Sequence, residues 1–420
     1  MFITPYSQKN IDRTFPARRG ISMAENKKAV SFTSLQDALK YIVEARSNNP
    51  IQEYRNYVRL NELDLDKISD ICEGLPTFKG WTAKTLQLIT SCFDSIMLQI
   101  GCIHQCSHCG ADSEKKLTTM LWDNFTKLTD DIGIIKERLG YNPFSNSSTD
   151  NRIYLFANSD PMIYKSKGKD GVMRNIFDAA QYYYDKTGTK AIITTAGWPY
   201  GNKTSQKAAE SFVEHPECLD SFHISIHPFH NYMQKSIKYA EAGNPKEAAI
   251  WREKYIDMMA NVIKSTIGLK DKIKSYKIIL QADNKSGNLG IKQENAEYLL
   301  SQIFDKLEDQ GIDTSHFRTK NCFGLKENQN TEMRLIGHIG RGASYSNKEN
   351  YKPIYDALYW NVIKQFAKSV APDGTILVKP FSDPGFIGSN FQKLPFELNF
   401  PLPTKNNSER PPLPKLEIRD

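Results

Sequence analysis

Strand-like and helix-like segments alternate along most of this chain, and that alternation limits its fold more than any other feature. Apolar, β-favouring runs at 95–100, 152–157, 190–195, 221–227, 276–283 and 333–339 are separated by stretches with helical periodicity at 121–139, 171–187, 204–214, 246–266, 292–310 and 354–370. In the first helical stretch Leu121, Phe125, Leu128, Ile132, Ile135 and Leu139 step by four and three residues and lay one apolar stripe along a helix face. Such an order predicts an α/β fold with a parallel sheet and covering helices. Periodicity leaves two closures open, a barrel and an open doubly wound sheet. In either one the functional loops lie at the C-terminal ends of the strands.

At 420 residues the chain can bury roughly three quarters of its unfolded surface, enough for a large barrel with extensions or for two or three domains. The first ten residues lack the apolar core of a signal peptide, and no stretch approaches the ~18 uninterrupted apolar residues of a membrane span. These features predict a cytoplasmic protein with no membrane partner. The net charge of +7 is mild for the length, with Lys and Arg interleaved among Asp and Glu, which fits a solvated surface better than a nucleic-acid footprint. Seven cysteines, an odd number without a secretory signal, argue against a disulfide framework and for a reducing compartment.

Three of those cysteines are close together, in Gly101-Cys-Ile-His-Gln-Cys-Ser-His-Cys-Gly110, between the first strand-like run and the first helix. Thiolates from Cys102, Cys106 and Cys109 at this spacing can hold three irons of a four-iron cluster and leave the fourth iron open for chemistry. Cys72, Cys92, Cys218 and Cys322 are isolated, so the sequence provides for one cluster. The alternative is a structural zinc site with His104 or His108 as fourth ligand, in a non-catalytic binding or scaffold protein, although no second Cys-x2-Cys pair accompanies it.

The Cys102-x3-Cys106-x2-Cys109 loop after an early strand resembles the signature of the radical S-adenosylmethionine (radical SAM) superfamily. The resemblance covers roughly residues 95–345. It implies a partial (β/α)6 barrel, a [4Fe-4S] cluster on the three cysteines, and S-adenosylmethionine held by the open iron and cleaved to a 5'-deoxyadenosyl radical. It further implies an electron donor such as flavodoxin or ferredoxin. His108 stands where the family often has an aromatic residue near the adenine. Asn158, Ser159 and Asp160, in Asn158-Ser-Asp-Pro161 after the second strand, take the place of the family's Gly-Gly-Glu-Pro motif around the amino group of the cofactor. The same four residues are also an ordinary turn sequence.

In Phe222-His-Ile-Ser-Ile-His-Pro228 alternation places His223, Ser225 and His227 on one face and Phe222, Ile224 and Ile226 on the other. In a helix-wrapped barrel the apolar set faces the helices and the polar set lines the interior, which suits a polar ligand. Ser225 matches the family position that often contacts the ribose. His223, His227 and His230 could instead share a metal. Gln281 and Asp283 share a face near the end of the fifth strand, and His338 ends the sixth. Arg341, in Gly340-Arg-Gly-Ala343, resembles the sixth-strand cofactor loop of peptide-modifying members, where it would pair with the cofactor carboxylate or remain in a surface salt bridge.

Residues 371–380 and Gly385-Phe-Ile-Gly388 are similar to the start of the C-terminal extension of that subgroup, with its cysteines absent and Lys379-Pro380 in their place. A hairpin around Asp373-Gly374 follows from either origin. The domain organisation is then an N-terminal extension of unknown role (1–94), the partial barrel (95–345), a C-terminal helix and hairpin (346–394), and a Pro-rich tail (395–420) that is loosely attached or presents a Pro-Pro-Leu-Pro ligand. The substrate expectation leans to a peptide or protein, with RNA modification as the alternative.

Overall fold

The structure, a computed structural model, describes residues 65–82, 85–86, 89, 93–106, 113, 115–145, 151–156, 159–282, 293–317, 331–335, 367–379, 392–400 and 405–407. In chain order its elements begin with α1 (Leu65–Glu73), β1 (Phe93–Ile96), β2 (Gln99–Ile100), β3 (Leu117–Thr119), α2 (Trp122–Leu139), β4 (Arg152–Tyr154), β5 (Lys165–Lys167), β6 (Met173–Asn175) and α3 (Ile176–Thr187). They continue with β7 (Lys190–Thr195), α4 (Lys203–Glu214), β8 (Leu219–Ile226), α5 (Asn231–Glu241), α6 (Pro245–Thr266), β9 (Ser275–Ala282) and α7 (Gln293–Asp309). The last strands are β10 (Thr331–Leu335), β11 (Ala367–Val370), β12 (Thr375–Lys379), β13 (Gln392–Glu397) and β14 (Lys405–Asn407).

The fold is α/β, as the alternation predicts. Among the described residues one nine-stranded sheet runs in the order β10-β9-β8-β7-β4-β1-β11-β12-β13. The seven strands from β10 to β11 are parallel, and β12 and β13 add antiparallel at one edge. From β1 to β10 the parallel strands are neighbours in the order in which the chain makes them, with no reversal.

Local chemistry sets the helix limits. Helix α2 opens with Trp122 N–H donating to Ser166 Oγ at 2.8 Å and closes on Gly140, whose φ of 74° allows its N–H to return to Lys136 O at 2.8 Å. Its apolar stripe, Phe125, Leu128, Ile132 and Ile135, is fully buried. Helix α3 begins later than periodicity suggests. Asn175 and Asp178 form a reciprocal capping box that fixes the start at Ile176, and the preceding Met173–Asn175 pairs with Lys165–Lys167 as a hairpin.

Other differences from the sequence reading also trace to long-range pairing. The run at 95–100 is two strands: Met97 N–H donates to Val370 O at 2.8 Å, then the chain leaves the main sheet and Gln99–Ile100 pairs antiparallel with β3. Residues 367–370, expected to end a helix, are strand β11 instead, because they complete the ladder beside β1, with Ser95 Oγ and Ser369 Oγ 2.9 Å apart in the interior. The rest of that expected helix and the helical pattern at 35–46 lie outside the described residues. Within the Pro-rich tail, residues 395–397 belong to β13 and Lys405–Asn407 pairs with β3, so those segments are hydrogen-bonded into sheets. The hairpin around Asp373-Gly374 forms, with Gly374 at φ 88° and its N–H on Ala371 O.

The described end of the N-terminal extension belongs to the core. Phe78 packs edge-on against Trp81 and tilts against Phe144, Thr77 N–H donates to Asp131 Oδ2, and Trp81 Nε1 donates to Glu397 O. No helix among the described residues is long and apolar enough to cross a membrane.

Candidate functional site

Strand β8 shows the two-sided pattern that its sequence encodes. Phe222, Ile224 and Ile226 are fully buried in the main apolar core, where the Phe222 ring meets Phe212 of α4 and stacks on Tyr276 of β9. Ser225 and His227 are buried on the alternate side, and His223 is half-buried, with Nε2 3.3 Å from Ser275 Oγ. His227 lies one residue past the end of the strand, and Pro228-Phe-His230 turns into α5.

Four consecutive parallel strands deliver polar groups to one place beyond their C-terminal ends. From the cysteine loop after β1 and β2 comes His104, whose Nδ1 is 3.1 Å from His230 Nε2 beyond β8. Its Nε2 is 3.3 Å from Asp160 Oδ2 beyond β4, close enough for an ion pair but without the alignment of a hydrogen bond. Gly101 at φ 92° and Gln105 at φ 48° bend this loop, and Gln105 Nε2 ties it by donating to Cys102 O and Ser113 O.

Asp160 is the organising group. Its Oδ1 accepts from Met162 N–H at 3.0 Å, its Oδ2 from Ala196 N–H at 2.7 Å, and Thr195 Oγ1 is 2.9 Å from both oxygens. An ionised carboxylate has about four acceptor positions. Three donors therefore leave room for about one more, on the side where His104 stands. Asp160 thus ties the turn after β4 to the end of β7, and its Pro161 begins a short 3-10 turn capped by the same side chain. Ser159 Oγ accepts from Gln99 Nε2 at 2.7 Å, which joins this turn to β2 as well.

Two of the three loop cysteines are described. Cys102 is half-buried, Cys106 is 9% exposed, and neither is in a disulfide. Cys106 Sγ is 3.8 Å from His227 Nε2, and Tyr255 of α6 holds His227 by accepting its backbone N–H at 2.9 Å. Burial pushes the Tyr255 phenol above its usual range, against the opposing effect of the hydrogen bond from His227 N–H, so it stays protonated. Cys72 and Cys218, away from the loop, are buried thiols that desolvation raises to about 11 and about 12, which leaves them protonated and poor nucleophiles at neutral pH.

The structure therefore brings together Cys106, His104, Ser159, Asp160, His227 and His230, and places Ser225 on the same side of β8. Cys109, His108, Asn158 and Arg341 lie outside the described residues, as do Asp283 and His338. His223, His227 and His230 do not converge as a metal site, and no group of three His, Cys, Asp or Glu side chains among the described residues does. His223 is four residues upstream of His227 along an extended strand, so it lies well below the ends of the strands. Thr195, Ala196 N–H and Tyr255 are contributors that sequence reasoning missed. The only signal for Thr195 was its place at the end of a predicted strand.

Compared with models of known protein families and with curated proteins, the chain matches none.

Proposed function

We propose that this chain is a radical SAM enzyme acting on a peptide or protein. The observation that carries the reading is the meeting of the cysteine loop with the strand ends of β4, β7 and β8 around the Asp160 carboxylate. The thiol donor set, its spacing and its place after the first parallel strand fit a [4Fe-4S] cluster held by Cys102, Cys106 and Cys109. When bound, the cluster supplies the electron that splits the sulfonium of S-adenosylmethionine into methionine and a 5'-deoxyadenosyl radical, which takes a hydrogen atom from the substrate.

The chain's own groups have separable tasks. Asp160, pinned by three donors, offers its remaining acceptor position to the ammonium of S-adenosylmethionine in place of His104. Gln99 fixes Ser159 beside it. Ser225 faces the ribose from β8, and Arg341 pairs with the cofactor carboxylate. The unreversed order of β1, β4, β7, β8, β9 and β10 supports a curled partial (β/α)6 barrel. Right-handed crossovers put every helix on one side of such a sheet, and the other side then closes around the ligand. The proposed setting is the reducing cytoplasm, with flavodoxin or ferredoxin as electron donor.

Anaerobic reconstitution with iron and sulfide, followed by reduction in the presence of S-adenosylmethionine, tests this directly. The expected products are methionine and 5'-deoxyadenosine in equal amounts. Colourless protein that contains zinc, or a fully loaded cluster that yields neither product, overturns the proposal.

A further inference from the structure

We propose that His227 is a positioning residue that donates its Nε2–H to the sulfur of Cys106 and thereby sets how readily the cluster is reduced; this rests on the function proposed above. A side-chain contact joins the cysteine loop to the end of β8, with Cys106 Sγ 3.8 Å from His227 Nε2. His227 is fixed at three points. Its strand ends one residue earlier, its backbone N–H is on Tyr255, and its ring stacks on Phe229 at 6.4 Å with the planes 30° apart. Both partners are shielded from water, Cys106 at 9% and His227 at 1% exposure.

Chemistry assigns the direction of this hydrogen bond. A thiolate that ligates iron has no proton to give and can only accept, so the imidazole nitrogen that faces it must carry the hydrogen. A donor on a ligand sulfur stabilises negative charge there. The reduced cluster is one unit more negative than the oxidised one, so the donor favours reduction, and it does so strongly where water is excluded. The sequence pattern alone places His227 on the polar face of β8, but does not reveal that this face ends against a cysteine.

The test is a redox titration followed by electron paramagnetic resonance on reconstituted wild-type protein, His227→Phe and His227→Gln, without substrate. His227→Phe keeps the ring and loses both nitrogens, whereas His227→Gln keeps a side-chain N–H. The expected result is a cluster about tenfold harder to reduce in His227→Phe, or about 59 mV lower for one electron, with most of the shift recovered in His227→Gln. Equal potentials in wild type and His227→Phe, both fully loaded with iron, overturn the inference and leave the proposed function standing. Should His227→Phe fail to load while His227→Gln loads, dependence on the donor is supported. Should both variants fail alike while wild type loads, His227 is a packing residue and the inference is overturned. Wild type that takes up no cluster at all instead removes the proposed function.

Discussion

The two ends of the parallel sheet both bury polar side chains, but of different chemical kinds. Below the strands Asn142 Nδ2 donates to Tyr183 OH and Thr189 Oγ1, Thr189 Oγ1 donates to Asn151 Oδ1, and Tyr183 OH donates to Phe144 O. These are amides and hydroxyls whose bonds close within the chain. Above the strands are a carboxylate, three imidazoles and thiols, groups that bind metals, exchange protons or accept an ammonium. The first end holds the sheet, the second carries the groups that the proposed function uses, and burial makes both costly to disturb. Burial alone therefore does not mark a site here; titratable and ligating chemistry at the strand ends does.

Substitutions at the two ends give a graded test of that contrast. The largest effect is expected from Cys106→Ala, which should abolish iron retention and 5'-deoxyadenosine formation while chemical denaturation shows a fold close to wild type. Asp160→Ala should act on both counts. It strands Met162 N–H and Ala196 N–H and leaves the Thr195 hydroxyl only its longer bond to Gly197 O, at a cost of about 2–4 kcal/mol in urea unfolding, and it should also lose binding of S-adenosylmethionine in equilibrium dialysis. Asn142→Ala, at the other end, should cost about 1–2 kcal/mol through its lost hydrogen bonds. Its cofactor binding should be unchanged once the protein is kept folded. Tyr183→Phe should be mildest, at about 1 kcal/mol, again with no change in turnover per bound cluster. A loss of cofactor binding in either variant of the lower network would break the division between the ends.

The repeating core was legible in the sequence because its signals are local. Strand β7 falls on the expected residues, since an Ile-Ile-Thr-Thr run between a glycine and a Gly-Trp-Pro turn needs no distant partner to be recognised. Helices α4, α6 and α7 fall within a residue of their periodic patterns. Helix α5 leaves no clear signal in the sequence, as only Met233 and Ser236 are buried along it and such a sparse face gives little periodicity. Strand β11 falls where the sequence pattern predicts the end of a helix, because Ala-Lys-Ser-Val has no strong preference of its own and its state is decided by β1, far away in sequence. The site divides in the same way. The positions of Ser159, Asp160, Ser225, Cys102 and Cys106 near the strand ends could be read from the pattern of strands and the cysteine spacing. Thr195 beside Asp160, Tyr255 under His227 and His104 between Asp160 and His230 exist only as contacts between segments far apart in the chain.

The strands that flank the cysteine loop have an order of synthesis built into them. β1 is bounded on one side by β11, where Ser95 meets Ser369 across 274 positions, and β2 belongs to a small sheet whose other outer strand is Lys405–Asn407. Both segments leave the ribosome long after the cysteine loop: β11 pairs directly with β1, and Lys405–Asn407 pairs with β3, the strand beside β2. The frame around Cys102 and Cys106 is thus completed only after those distant segments have been made, although β4 and β3 reach β1 and β2 much earlier.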